Sequence, residues 1–293
     1  MSKYVLSCCS TADLTQEQLD RRDIRHICFH YSLDGEEHFD DLGKSIPYDE
    51  FYARMAAGSL TATSQVNISE YVAYFSEFLE QGLDVVHICL SSGLSGTINS
   101  ARNAALIVGE RYPERDIFIV DSLGASTGYG LLVDAAADMR DQGMEAERLA
   151  RWLRENRLFV NHLFFSTDLT SYVRGGRISK TAAVFGGMLE ICPLLYMDDT
   201  GHLVMQSKVR TKKKVFREIV QRMAELAEDG EDYSGKCFLS HSGCPEDAET
   251  VAAMIRERFP KLNGGVTVNS VGTCIGSHTG PGTVAVFFWG SER

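Results

Sequence analysis

Residues 85–97, Val-Val-His-Ile-Cys-Leu-Ser-Ser-Gly-Leu-Ser-Gly-Thr, decide how this chain is read. An apolar run ends in a loop of hydroxyls and glycines, and a helical periodicity opens at Thr97 and continues to Arg111. Strand, polar glycine loop, helix start is the repeating unit of an α/β fold. It leaves backbone N–H groups and serine hydroxyls at the positive end of a helix, where an anion is favoured. The plainer reading is a tight turn whose Ser or Thr caps the helix. Three other short segments share the same chemistry: Thr63-Ser64-Gln65, Gly175-Gly176-Arg177-Ile178 and His278-Thr279-Gly280-Pro281-Gly282. Each sits at an element boundary, and together they read as one site assembled from several loops.

Outward from that stretch, the first half alternates short apolar strands with helices. Strands are expected at Tyr4 to Cys8, Ile24 to Ser32, Val85 to Leu90 and Ile117 to Asp121, and Asp34-Gly35 marks a turn between Tyr31 and Phe39. Helices are expected at Thr15 to Arg22, Ser69 to Gln81, Thr97 to Arg111, Gly128 to Gln142 and Glu145 to Arg157. Alternation of this kind builds a buried parallel sheet. From Leu158 to Phe165 the pattern changes: Pro193 to Met197, Asp198-Asp199-Thr200-Gly201 and His202 to Lys208 read as an antiparallel hairpin. Helices at Thr211 to Glu228 and Glu246 to Phe259 then alternate with strands at Lys236 to Ser240, Val266 to Val271 and Thr283 to Trp289. The expectation is two α/β domains, residues 1–160 with a parallel sheet and residues 161–293 with a mixed sheet, and a ligand between them.

Composition narrows the function. Forty acidic against 29 basic residues give a net charge of −11, the wrong balance for a protein that neutralises nucleic-acid phosphates. No apolar run approaches the ~20 residues that cross a bilayer, and Met1 to Leu6 enters a strand pattern without a signal-peptide core. A cytoplasmic protein is expected. The eight cysteines include no CxxC pair, and adjacent Cys8 and Cys9 suit neither an ordinary disulfide nor a tetrahedral metal site, so all are read as free thiols. His26 and His30, on one expected strand, stand about 13 Å apart, too far to share a metal. His87 and His162, in apolar runs, read as core histidines. No metal or cofactor is expected.

Ser64, Ser91, Ser92, Ser95 and Thr97 raise a serine-dependent hydrolase or transferase acting on a small acyl or phosphoryl ester, with His278 as base and Asp121 behind it. Gly93-Leu94-Ser95-Gly96 lacks the Gly-x-Ser-x-Gly spacing of a nucleophile elbow, and hydroxyls without one suit an array of neutral donors better. No Gly-x4-Gly-Lys-Ser/Thr loop or Gly-x-Gly-x-x-Gly fingerprint cradles a nucleotide, and Gly124 to Gly130 reads as a strand-to-helix connection. Arg174 and Arg177 flank a Gly-Gly pair, a placement that can hold a carboxylate or phosphate. Lys208 to Lys214 packs five positive charges into seven residues at a helix start, where they oppose the dipole.

The four loop motifs, in this order, resemble the DegV family of bacterial fatty-acid-binding proteins, and the resemblance runs nearly end to end. It departs at Val66-Asn67, where the family usually continues Thr-Ser-Gln with Pro-Ser. The resemblance implies two α/β domains with a long-chain fatty acid between them and no catalytic residue of the chain's own. Thr63 and Ser95 would hold the carboxylate, with Ser64, Ser92 and Gly96 close by; Arg174, Arg177 and His278 would extend the network towards a phosphate. It further implies a carrier subunit that presents the acyl carboxylate to a separate ATP-dependent fatty-acid kinase. Arg210 would face that partner, and the basic run adds Lys212 and Lys213.

Overall fold

The computed structural model describes residues 4–179 and 191–293. Along the chain the elements are β1 (Tyr4–Cys9), α1 (Gln16–Arg21), β2 (Ile24–Ile27), β3 (His30–Leu33), β4 (Glu36–Phe39), α2 (Tyr48–Ala56), β5 (Thr61–Ser64), α3 (Ile68–Leu79) and β6 (Asp84–Cys89). Next come α4 (Thr97–Gly109), β7 (Ile117–Asp121), α5 (Ser126–Asp141), α6 (Ala146–Asn156), β8 (Val160–Ser166) and α7 (Thr170–Arg174). The remainder is β9 (Ile191–Met197), β10 (Leu203–Arg210), α8 (Lys212–Leu226), β11 (Cys237–His241), α9 (Pro245–Arg258), β12 (Val266–Ser270), α10 (Thr273–Thr279) and β13 (Thr283–Trp289).

The fold is two-domain α/β. Its N-terminal sheet, in the order β2-β1-β6-β7, is parallel throughout, and its C-terminal sheet, β10-β9-β8-β13-β11-β12, is mixed. Helix α5 packs between them. Eleven of its sixteen residues are buried, because both of its sides meet a sheet. Glycine makes the approach possible: a Cβ on Gly128 would lie 2.3 Å from His162 Nε2, and one on Gly130 would lie 2.7 Å from the Ala12 carbonyl. One apolar core runs through both domains, and a second lies on the far face of the mixed sheet beneath α8 and α9.

A third, antiparallel sheet, β4-β3-β5, differs from the expected single strand Ile24 to Ser32. The chain leaves the parallel sheet after Ile27 and enters the small sheet at His30. Phe29 is the anchor of the crossing. Its side chain is buried in the main core, its N–H donates to Ser10 Oγ at 3.0 Å, and its carbonyl accepts from the Asp40 N–H at 2.8 Å. His26 and His30 therefore sit on different sheets, and His30 pairs with Glu70 at 2.8 Å. The expected turn at Asp34-Gly35 joins β3 to β4 with φ of 55° and 87°, the left-handed pair of a two-residue hairpin. Helices α2 and α10, which the sequence reading leaves out, pack with this sheet around Tyr31, Phe51 and Tyr52. Among the described residues, no helix is long and apolar enough to cross a membrane.

Candidate functional site

A cavity of about 460 Å³ opens between the two domains, within the range of ~300–1,000 Å³ usual for small-molecule sites. Its apolar wall comes from both sides: Phe29, Leu90 and Leu94 from the first half, and Phe164, Met197 and Phe287 from the second. The polar lining includes Thr63, Ser64, Ser95, Arg177 and His278. Four distant loop motifs thus meet at one cavity.

Thr63 reaches it from β5, where it pairs across the small sheet with Tyr31. Its Oγ1 lies 2.8 Å from His278 Nε2. His278, expected in a glycine-rich loop, occupies the last turn of α10, which ends at Gly280 with φ of 66°. Burial, and then the nearby Arg177 and Arg174 charges, pull its pKa down to about 4, so the ring is neutral near pH 7. The ring's other nitrogen, Nδ1, is buried with no hydrogen-bond partner among the described residues. It lies against the Gly-Gly turn: a Cβ on Gly175 would stand 2.2 Å from it, so only glycine admits the imidazole there.

Ser95 lies in the loop after β6. Its Oγ accepts the N–H of Thr97, the first residue of α4, at 3.2 Å. Arg177 ties the second half to this loop, donating to the Leu94 carbonyl at 3.1 Å and to the Gly175 carbonyl. Burial lowers its pKa from the ordinary value, yet a guanidinium keeps its charge in proteins. The loop is also clasped from the β9–β10 hairpin, where Ser91 Oγ donates to the Gly201 carbonyl at 2.8 Å. A Cβ on Gly93 would come within 2.6 Å of that carbonyl oxygen, so two glycines let the domains touch.

The other expected residues fall differently. Gly96 lines the cavity beside Gln65, but Ser92 is exposed and is absent from the lining. Its N–H donates to Asp121 at 3.1 Å, and Asp121 also accepts from the Leu123 N–H, so that carboxylate shapes the loop. His278 meets Thr63 and lacks an orienting carboxylate among the described residues, so Ser95, His278 and Asp121 do not form a triad. Arg174 is exposed, and Arg177 is the arginine in the wall. Arg210, Lys212 and Lys213 are exposed at the β10–α8 junction, outside the lining, and Lys212 pairs with Asp247 at 2.6 Å. Where the usual Pro-Ser is missing, Val66 is buried and Asn67 caps α3 through a capping box with Glu70.

Sequence reasoning missed several lining residues, including Ser126, Tyr172 and Ser240. Ser126 falls in the Gly124–Gly130 segment, so its loop was visible although its role was not. His162, also in the wall, is a satisfied core histidine: its Nδ1 lies 3.0 Å from the Val160 carbonyl, and its Nε2 accepts from Ala125 N–H.

Residues 9–290 match the family model for the DegV family, whose description is an uncharacterised protein family. The chain belongs to the DegV family. A DegV domain-containing protein of Clostridium perfringens is 37% identical over 293 residues, covering 100% of this DegV chain and 99% of its own length. A stearic acid-binding protein of Eubacterium ventriosum is 27% identical, with a TM-score of 0.86 over 97% of this chain and 98% of that one. The Streptococcus pneumoniae Fatty Acid Kinase B3 protein, solved with linoleic acid, is 20% identical and superposes with a TM-score of 0.82 over 99% and 100% of the two chains. At that identity the last likeness speaks for the DegV fold alone.

Proposed function

We propose that this DegV protein binds a long-chain fatty acid in the interdomain cavity and presents its carboxylate to a separate ATP-dependent kinase. The observation that carries the reading is the lining: a largely apolar cavity whose hydroxyls Thr63 and Ser95 stand beside its one formal cation among the described residues, Arg177. Burying 14 to 16 methylenes is worth about 11–13 kcal/mol gross at ~0.8 kcal/mol each, so the tail supplies the affinity and the head need only be desolvated cheaply.

The hydroxyls are arranged to donate. Ser95 Oγ already accepts the Thr97 N–H, which leaves its O–H for a ligand. Thr63 Oγ1 does the same if neutral His278 carries its proton on Nε2, and the unpartnered Nδ1 is then the bare nitrogen. Two O–H donors and the nearby guanidinium compensate a buried carboxylate while leaving one oxygen free to attack a phosphoryl group. Arg177 and His278 would then count for more in phosphoryl transfer than in uptake. Arg210, with Lys213 beside it, gives an acidic chain a local positive field for steering a partner.

Native mass spectrometry of the purified protein tests the reading. A co-purifying fatty acid, retained at lower occupancy in Thr63→Ala and Ser95→Ala variants that remain folded, is the expected result. A chain without bound lipid that also fails to take up palmitate or oleate would refute it.

A further inference from the structure

Beneath the hydroxyl loop lies a second group of chemically competent side chains that fatty-acid binding does not use. Strands β1 and β6 run in parallel with Ser7 opposite His87, so Cys9 and Cys89, two residues further on, share the face of those two. Cys9, His87 and Cys89 are all 0% exposed, and their donor atoms lie within 4.8 Å of one another. Cys9 Sγ is 3.6 Å from His87 Nε2.

We propose that Cys9, His87 and Cys89 form a zinc site that ties the end of β1 to the end of β6, from which the hydroxyl loop springs. The donor set is chemically apt: two thiolates and an imidazole favour a soft or borderline d10 ion. The spacing is compatible: bonds of ~2.3 Å to sulfur and ~2.0 Å to nitrogen put a tetrahedral S···N edge at about 3.5 Å and an S···S edge at about 3.8 Å, against 3.6 Å from Cys9 Sγ to His87 Nε2 and at most 4.8 Å across the set. The imidazole is aimed from behind, as metal-bound histidines are: Nδ1 lies 2.8 Å from Ser7 Oγ, which itself lies 2.8 Å from the Tyr74 hydroxyl. The Tyr71 hydroxyl lies 3.4 Å from Cys9 Sγ, beside the three donors. Charge selects the ion. Zinc(II) with two thiolates and a neutral imidazole is neutral overall, which a fully buried pocket tolerates, whereas a monovalent ion would leave an uncompensated negative charge.

The position explains the consequence. Cys89 is the last residue of β6, and the Tyr71 hydroxyl bridges from Cys9 to Thr97 Oγ1 at 3.0 Å, at the start of α4. An ion here holds the Cys89 end of the segment carrying Ser95 directly and the Thr97 end through the Tyr71 hydroxyl. Because the site is closed, the metal enters as the chain folds.

The test uses the full-length protein with zinc alone and does not depend on lipid. Protein refolded with one equivalent of zinc, dialysed and measured by elemental mass spectrometry should retain about one ion per chain. Cys89→Ser and His87→Gln should cut that at least tenfold, while Cys8→Ala, on the opposite face, should not. Refolding the wild type with cobalt(II) should give thiolate-to-cobalt charge-transfer absorption, a readout that survives even if the variants fail to fold. Zinc below a tenth of an equivalent with no charge-transfer band, or equal zinc in wild type and the Cys89 and His87 variants, would overturn the proposal and leave a hydrogen-bonded thiol–imidazole cluster.

Discussion

Replacing Thr63 by Val keeps the shape of the side chain and deletes one hydroxyl, which makes it the sharpest probe of the proposed anchor. Two costs follow, and they are read by different measurements. In the free protein, His278 Nε2 loses its 2.8 Å partner while Nδ1 is already without one, so the ring is left unsatisfied on both sides. Leaving a buried polar group unpaired costs about 1–3 kcal/mol, and the group's partial exposure places this case near the lower end. In the complex, a hydrogen bond to a charged acceptor disappears, worth about 1.5–3 kcal/mol, or roughly 10- to 150-fold in Kd. Displacement of a fluorescent fatty acid gives the affinity, and urea denaturation of lipid-free protein gives the stability. Thr63→Ser, which restores the O–H, should recover most of the affinity. A Val variant binding within twofold of wild type would refute the hydroxyl-anchor reasoning, whatever its stability.

Three further outcomes are expected. The His278 pKa falls from 6.5 to about 4 on folding, so the folded chain binds fewer protons between those values; its contribution to stability is present above about pH 6.5 and is lost as pH falls towards 4, on the order of 3 kcal/mol in all. His278→Asn should therefore lose less stability than wild type between pH 7.5 and 4.5 in urea titrations, and parallel losses would show the ring is not desolvated. Gly201→Ala should destabilise by more than ~1 kcal/mol, because Gly201 has φ of 77° and a Cβ there would sit 2.1 Å from Ser91 Oγ; an unchanged urea midpoint would count against the interdomain clasp. Arg210→Ala should leave fatty-acid affinity unchanged and slow phosphorylation by a partner kinase, with wild-type turnover weakening as salt is added; equal turnover at low ionic strength would return the basic run to a solvated junction.

The two-domain α/β arrangement of this DegV chain was legible along the sequence, because that information is local. Apolar runs such as Val85 to Leu90 are legible as buried strands, the Asp34-Gly35 and Asp198–Gly201 turns as hairpins, and the change of pattern after Leu158 as a second sheet. The hydroxyl and glycine loops were legible as one site only because several motifs shared a chemistry and a family order. Tertiary structure alone decided which members face the cavity. Ser92 and Ser95 are three residues apart in one loop, yet one faces solvent and the other the pocket, since the loop turns on Asp121 and on the Gly93–Gly201 contact. Arg177 lines the wall and Arg174 does not, because the turn between them places the former against the Leu94 carbonyl. The strand break at Phe29 and the meeting of Cys9 with His87 were invisible for the same reason. Both depend on residues far apart in sequence that only the packing of sheets and helices brings within a few ångströms, and no periodicity along the chain encodes that distance.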